Sequence, residues 1–218
     1  MNEMRVVKEA EERKNEILDA AERLFGAKGF DNTSTTDILN EIGIARGTLY
    51  YHFKSKEEIL DAMIERMVKR LAGKAEKIIA EKDTPILQRL TKMMLALKVD
   101  DRNFSHGLLK QAHRPQNALM HQKMQKCILS EINPLLTDLI QESIAQGICK
   151  TDYPKEVAEM TFLYANTVFD DLMEHSVEEK QRRVDAFIYN LERLLNMEQN
   201  SMKSAIMPIF QDNPSNVE

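Results

Sequence analysis

The chain has 218 residues, of which 43% are hydrophobic and 30% are charged, and its formal net charge is −5. This length can bury a core and suits one or two domains. The acidic balance excludes a globally basic protein, so any binding to nucleic acid must use a local patch. The two cysteines, Cys127 and Cys149, are too few for a disulfide framework and fit a reducing compartment. No apolar run approaches the ~20 residues that span a bilayer, so we expect a soluble cytoplasmic protein.

Helical patterning extends along almost the whole sequence, which has only 7 glycines and 6 prolines. Apolar residues recur at the spacing that is typical of amphipathic helices. We therefore predict an all-α fold of about nine helices, three of which form an N-terminal head. Their approximate bounds are 3–28, 35–42, 45–52, 55–80, 85–99, 104–112, 116–146, 154–174 and 177–197.

The first predicted helix supports the segment that follows it. One face carries four apolar residues: Ile17, Ala21, Leu24 and Phe25. The helix ends at Lys28-Gly29, because a cation in the last turn and a left-handed glycine after it both suit a helix C-terminus. Phe30 can then fold back onto the end of the helix.

Two short helices joined by a tight turn are predicted next. Ser34 can cap the first of them, with Asp37 three residues on in the capping-box position. Gly43 follows that helix and can take the positive φ that a sharp turn needs. Leu49 and Phe53 of the second helix would face inward. This pattern is typical of a helix-turn-helix, in which the second helix lies in the major groove of DNA.

The chemistry of this segment suits DNA. Between Ile42 and Lys56 there are three cations and no carboxylate. Arg46 leads the second helix, where a guanidinium can contact guanine O6 and N7, and Gly47 beside it allows a close approach. Lys56 stands in the first turn of the next helix, where free N–H groups already favour phosphate. The predicted DNA-contacting residues are Ser34, Thr35, Thr36, Arg46, Gly47, Thr48, Tyr50, Tyr51, His52 and Lys56.

The run from Thr35 to Leu60 reads TTDILNEIGIARGTLYYHFKSKEEIL and closely resembles the DNA-binding signature of the TetR (tetracycline-repressor-like) transcriptional regulators. Ala45 departs from that pattern, since such proteins often have a polar cap there, and this weakens the start of the helix by about 1 kcal/mol. The resemblance implies a DNA-binding domain over 1–54. A helical ligand-binding and dimerisation domain would cover 55–200, and a partly disordered tail would cover 201–218.

Two features of the predicted body follow from local sequence. The helix that opens at Ser55 presents Leu60 and Met63 on one face, and the resemblance implies that it connects the head to the body. Pro134 lies inside the long helix 116–146 and removes one backbone hydrogen bond, so we predict a kink there.

The last two long helices resemble the pair through which TetR-family proteins dimerise in a four-helix interface. Each carries a wide apolar stripe, although such a stripe can also pack into the core of the body. A two-fold dimer would read a palindrome with half-sites about one helical turn apart, or a multiple of it. The predicted interface residues are Val157, Thr161, Tyr164, Val168, Val184, Phe187, Ile188, Leu191 and Leu195.

The resemblance also implies a small-molecule pocket in the body. Flexible methionines suit an adaptable apolar cavity, although ordinary core packing accounts for each of them singly. The candidate lining residues are Met93, Met94, Leu97, Phe104, Leu108, His113, Met120, Met124, Phe162, Asn166, Phe169 and Asp170. Of these, His113, Asn166 and Asp170 are polar and would orient a ligand.

No catalytic constellation stands out. The sequence has no P-loop, dinucleotide fingerprint, HExxH or Cys-x-x-Cys motif. His106, His113 and His121 precede Cys127, but their spacing fits no standard ligand set and a proline separates them. We therefore expect no metal, no cofactor and no enzymatic activity.

Two hypotheses remain. In the first, the protein is a homodimeric repressor that a small apolar or amphipathic effector releases from a palindromic operator. In the second, it is a structural DNA-binding protein that takes no ligand and acts through a protein partner. A filled core without a cavity would favour the second.

Overall fold

The computed structural model describes residues 2–99, 117–168 and 176–210, and within these ranges it contains nine α-helices and no strand. The predicted all-α fold is therefore confirmed. The predicted helix at 104–112 lies outside the described residues. In chain order the helices are α1 (Asn2–Lys28), α2 (Thr35–Ile42), α3 (Arg46–His52), α4 (Lys56–Ile79), α5 (Ile86–Val99), α6 (Ala118–Ala145), α7 (Pro154–Val168), α8 (Val177–Leu194) and α9 (Lys203–Phe210).

The chain divides into two units. Unit 1 comprises Met1–Arg70 with Val99–Cys127, and unit 2 comprises Leu71–Lys98 with Ile128–Glu218. Both α4 and α6 therefore contribute residues to each unit. The domain boundaries drawn from the sequence, at 54 and 200, stay a prediction.

In unit 1, α1 buries the face that its sequence predicts. Ile17, Ala21 and Phe25 are fully buried, and the helix ends at a left-handed Gly29 with φ 85°. The Phe30 ring meets the Phe25 ring edge-on, with centroids 5.3 Å apart. The chain thus turns sharply after α1 and presents its next residues to α2.

Arg66 joins α4 to α1 within the same unit. Its guanidinium lies 2.8 Å from the Asp19 carboxylate and 3.0 Å from that of Glu22, and it also reaches Asn15. On its inner side α4 buries Leu60 and Met63. Packing and ion pairing together hold α4 against the helix that supports the head.

In unit 2, a buried guanidinium holds three segments together. Arg89 is only 1% exposed, and it donates to the carbonyls of Ile79 at 2.7 Å and Thr84 at 3.0 Å. It also forms a double hydrogen bond with the Glu142 carboxylate of α6. Arg89 first, and then Lys82, lower the pKa of Glu142 to about 2.

One hydrophobic core cluster of unit 2 includes residues of α9. Met202 and Ile206 are buried in it beside Val184 and Ile188 of α8. The Glu192 carboxylate accepts the N–H groups of residues 200 and 202, each at 2.9 Å. Residues 203–210, within the segment 201–218 that was predicted as a partly disordered tail, form α9. Residues 211–218 lie outside the described ranges.

Pro134 lies inside α6, as the sequence requires. The preceding Asn133 is buried, and its Oδ1 has no hydrogen-bond partner. The kink expected at this point stays a prediction. Among the described residues, none of the helices is apolar over a length that could cross a membrane.

Candidate nucleic-acid interface

The first helix of the predicted helix-turn-helix has both caps. The Asp37 N–H donates to Ser34 Oγ at 3.1 Å, and the Ser34 N–H donates to the Asp37 carboxylate at 2.8 Å, so the capping box is confirmed. Gly43 ends the helix in the left-handed conformation, with φ 66°, and its N–H bonds to the Leu39 carbonyl. Because a residue with a Cβ rarely takes this conformation, glycine suits the turn.

The second helix, α3, turns one side inward and the other to solvent. Leu49 and Phe53 are buried, as predicted. Ala45 takes an extended conformation before α3 and makes no side-chain cap. Tyr51 is 81% exposed, and Arg46 is also exposed. Thr48 and His52 are partly buried, and Gly47 is exposed. The predicted recognition residues of α3 therefore lie on its outer side, while Leu49 and Phe53 anchor its inner side.

Arg46 is held by its own helix. Its guanidinium carbon lies 5.4 Å from the centroid of the Tyr50 ring, one turn later. Hydrogen bonds from the side chains of Thr35 and then Arg46 lower the pKa of the Tyr50 hydroxyl. Tyr50 therefore lies close to the first residues of both α2 and α3. Its predicted contact with phosphate stays a prediction, and its contact with Arg46 was not foreseen from the sequence.

The carboxylates of α2 are neutralised by cations of α1. Lys28 lies 3.1 Å from Asp37, and Arg23 lies 3.2 Å from Glu41. The pKa of Asp37 falls from its ordinary 3.8 to about 2, chiefly because the Ser34 backbone N–H donates to it. These pairings reduce the repulsion that ionised carboxylates near α3 would exert on phosphate.

Lys56 contacts the turn between α1 and α2. Its Nζ donates to the Phe30 carbonyl at 2.8 Å and lies 4.2 Å from the centroid of the Phe30 ring. An ammonium has three N–H groups, so this bond is compatible with a phosphate contact, which stays a prediction. The contact with Phe30 was not foreseen, because the two residues are far apart in sequence.

The Ser55 side chain caps the start of α4. The Glu58 N–H donates to Ser55 Oγ at 3.1 Å. The Glu58 carboxylate, however, accepts the N–H of Lys54 at 2.6 Å, one residue before the place that a capping box requires. These two bonds of Glu58 hold the N-terminus of α4 close to the end of α3.

The predicted small-molecule pocket is described only in part. Met93 and Phe162 are buried in one core cluster of unit 2, with Met94 and Leu97 packed against it. Met120 and Met124 are also buried, but they belong to unit 1. Asn166 belongs to α7, and its side chain is outside the description. Phe104, Leu108, His113, Phe169 and Asp170 lie outside the described residues. The pocket stays a prediction.

Most of the predicted dimer stripe is buried within the chain itself, and the interface stays a prediction. The buried members belong to one core cluster: Val157, Val184, Ile188, Leu191 and Leu195. Leu191 also lines an open depression at the surface. Tyr164 is instead 42% exposed, and its ring stacks on that of Phe187 at 5.6 Å between centroids. Thr161 and Val168 are partly buried.

An apolar surface lies beside the buried stripe, on α7 and α8. We call it the α7–α8 face and define it by Met160, Tyr164, Phe187 and Leu194. These residues line an open depression of about 450 Å³. Met160 is 56% exposed and Leu194 is 43% exposed, which is unusual for large apolar side chains that cluster together.

The predicted metal-ligand candidates do not form a site in the described ranges. His106 and His113 lie outside those ranges, and His121 and Cys127 belong to α6. Within residues 2–99, 117–168 and 176–210, no group of three or more histidine, cysteine or acidic side chains is arranged to hold a metal ion.

Two family models match the chain. Residues 17–63 match the model described as "Bacterial regulatory proteins, tetR family". Residues 101–189 match the model described as "Tetracyclin repressor-like, C-terminal domain". Together the two matches cover more than half of the chain.

Individual proteins are similar over long stretches. The transcriptional repressor KstR2 of Mycolicibacterium smegmatis is 26% identical over 142 residues, which are 64% of this chain and 69% of KstR2. The transcriptional regulator YerO of Bacillus subtilis is 28% identical over 210 residues, 91% of this chain and 68% of YerO. The structure of RolR with its ligand resorcinol has a TM-score of 0.63 at 14% identity and covers 92% of this chain and 95% of RolR. At that identity the structural likeness shows the shared fold.

Proposed function

Because the chain belongs to the TetR family of transcriptional regulators, we propose that it is a cytoplasmic homodimeric repressor of a palindromic operator, released by a small effector. As a family member it is a DNA-binding regulator, and KstR2 is named as a repressor. The observation that carries the proposal is the solvent-facing side of α3. There Arg46 and Tyr51 are exposed, while the carboxylates of α2 are paired with cations.

Dimerisation is proposed through the α7–α8 face. One recognition helix contacts too few base pairs to select a unique site, whereas two helices related by a two-fold axis read an inverted repeat. The stacked rings of Tyr164 and Phe187 offer a flat apolar centre of the kind that interfaces bury. A two-fold interface uses the same face twice, so this surface would pack against its own copy.

The effector is proposed to be apolar or amphipathic. RolR, which shares the fold, binds resorcinol, a small aromatic molecule with polar groups. In this chain the effector must bind better to the state that cannot hold DNA. A complete switch from a strongly DNA-competent population requires on the order of 5 kcal/mol of differential affinity.

The proposal is tested by selecting bound sequences from a random duplex library with the purified chain at a stated salt concentration. An inverted repeat among the selected sequences would support a dimeric, sequence-specific regulator and would supply a probe for effector screening. The Arg46→Ala variant is the control, since it should recover a degraded motif or none.

A structural DNA-binding role without a ligand is the second candidate. The burial of Met93 and Phe162 in one packed cluster favours it, because a filled core leaves no room for an effector. Recovery of no motif, with binding that fades uniformly as salt rises, would support this candidate and contradict the first.

A further inference from the structure

Both backbone polar groups of Phe30, its N–H and its carbonyl, are hydrogen-bonded by side chains. Its N–H donates to Oδ1 of Asn117 at 3.1 Å, and its carbonyl accepts Nζ of Lys56 at 2.8 Å. The same carbonyl accepts the N–H of Thr33 at 3.2 Å. Phe30 lies four residues before Ser34, the capping residue of α2. Its peptide therefore fixes the turn from which the helix-turn-helix begins.

Asn117 reaches this turn from a distant part of the sequence. It directly precedes α6, it is 2% exposed, and it is separated from Phe30 by 87 positions. A Cβ at Gly29 would come within 3.1 Å of the Asn117 amide, and Gly29 also has a positive φ. The close approach of Asn117 thus depends on a glycine at that point.

A second bond fixes the same end of α6. Lys123, less than two turns into that helix, forms an ion pair with Asp61 of α4. Asn117 and Lys123 together attach α6 to the turn before α2 and to α4, all within unit 1. The helix α6 continues to Ala145. Its residues from 128 onward belong to unit 2.

We propose that Asn117 is a positioning residue for DNA recognition, which acts through the Phe30 peptide on the orientation of α2 and α3. The inference rests on the proposed binding of DNA by α3 and deepens it. Because Asn117 is buried, it does not touch DNA itself. Loss of its acceptor leaves a buried N–H without a partner, and buried N–H groups are rarely left in that state. The turn then reorganises, and α3 loses its fixed approach to the groove.

The test compares Asn117→Leu with Asn117→Asp. Leucine keeps the approximate size and removes the acceptor, whereas aspartate keeps a carbonyl-type oxygen for the Phe30 N–H. Affinity is measured by fluorescence anisotropy for the duplex selected by the wild-type chain and for a scrambled duplex. We expect Asn117→Leu to bind the selected duplex roughly tenfold more weakly, a typical size for coupling between sites. The scrambled duplex and the salt slope should be unaffected, and Asn117→Asp should stay near wild type.

The matched control is Asn133→Leu, the same substitution in α6 itself. Asn133 is also buried, but its Oδ1 has no partner to lose, so DNA affinity should not change. Circular dichroism melting establishes that every variant is folded at the assay temperature. An Asn117→Leu chain that keeps wild-type affinity and selectivity would overturn the proposal. Equal losses on both duplexes would also overturn it, because a residue that orients α3 for base recognition should affect the selected duplex more than the scrambled one.

Hydrogen exchange separates this inference from the proposed function. In the free protein, Asn117→Leu should accelerate amide exchange in residues 29–44 and leave α8 unchanged. If the wild-type chain selects no motif but exchange changes as expected, operator recognition fails while the positioning contact stands. If amide exchange in residues 29–44 is unchanged in Asn117→Leu, Asn117 does not position α2, whatever DNA the chain binds.

Discussion

At the scale of single residues, the proposed recognition of DNA depends on how firmly the Arg46 guanidinium is held before DNA binds. A free arginine side chain loses considerable rotamer freedom when it is fixed on a base. In this chain the Arg46 guanidinium already lies over the Tyr50 ring, and the Tyr50 hydroxyl is linked to Thr35. Part of the ordering has therefore occurred in the free protein, which reduces the entropic cost of binding.

The first prediction concerns Arg46→Ala. Removing a guanidinium that bonds to guanine should weaken binding to the selected duplex by about 1–3 kcal/mol and relax the preference at one base position. Selection with the variant measures the second effect and titration measures the first. A variant that keeps full selectivity would show that α3 is not the recognition helix. Arg13→Ala, an exposed arginine on α1 paired with Glu16, serves as the control.

The second prediction concerns Lys56→Met, which keeps the length of the side chain and removes the ammonium. If Lys56 contacts phosphate, affinity for all duplexes should fall alike, and the slope of log K against log salt should decrease in magnitude by about one. The measurement is anisotropy titration across a range of salt concentrations. If the salt slope is unchanged but selectivity is lost, Lys56 acts only through its bond to the Phe30 carbonyl. In that case the loss of affinity in Lys56→Met should not add to the loss in Asn117→Leu.

Residue-level features were predictable where the chemistry is local. Arg46 and Gly43 follow from the positions of their neighbours in one short stretch, because a helix-turn-helix is specified by consecutive residues. Lys56 illustrates the limit, since its bond to Phe30 depends on how α4 packs. Asn117 lies beyond that limit, because nothing in its local sequence indicates a partner 87 positions away.

At the scale of elements, caps were predictable and distant anchors were not. The Ser34 cap is confirmed, and Ser176 caps α8 in the same way, since each accepts an N–H from three residues away. Glu192 would normally face solvent on a helix as polar as α8, yet its carboxylate accepts N–H groups that precede α9. The missing prediction of α9 has the same cause. Its burial depends on contacts with α8 and α5 that a local pattern does not reveal.

The third prediction concerns the capping box of α2. The pKa of Asp37 lies below its ordinary 3.8, at about 2. A depressed acidic pKa stabilises the folded state above the unfolded value, and this contribution is lost as the pH falls from about 4 through about 2. Ser34→Ala should destabilise the chain by about 1 kcal/mol at neutral pH. It should also raise the pKa of Asp37 part of the way, because the backbone N–H of residue 34 still donates.

Two measurements check this prediction. Urea unfolding at neutral pH gives the free energy of unfolding of the variant against wild type. A carboxyl titration by NMR gives the pKa of Asp37 in both proteins. Ser201→Ala, at a serine whose buried Oγ has no partner, is the control and should not lower the stability. An Asp37 pKa near 3.8 in the wild-type chain would contradict the capping geometry.

At the scale of the whole molecule, the apolar residues of α7 and α8 divide into a buried stripe and an exposed face. The predicted dimer interface includes residues of both helices. Of these, Val184 and Ile188 are buried inside the chain, in one cluster with Ile206 of α9. The next residues around each helix, such as Tyr164 and Leu194, are the ones left at the surface. Periodicity located the apolar side of each helix correctly, whereas the division between core and surface depends on the position of α9.

The fourth prediction follows from that division. Tyr164→Asp places a charge at the centre of the α7–α8 face and removes the ring that stacks on Phe187. Because burying a charge at an interface is costly and the stacked ring pair is lost, the dimer should weaken by roughly 2 kcal/mol or more. Sedimentation velocity over a concentration series measures this. Affinity for the inverted repeat should fall in parallel, while affinity for a single half-site should not change.

The matched control is Tyr189→Asp, the same substitution on the other side of α8. Tyr189 is 50% exposed and lies two residues from Phe187, which places it about 200° around the helix axis. It should leave the dimer intact, so a loss confined to Tyr164→Asp assigns the contact to the α7–α8 face. If both variants remain dimeric, the two copies associate elsewhere, and the half-site spacing of the operator must then be set by a different pair of surfaces.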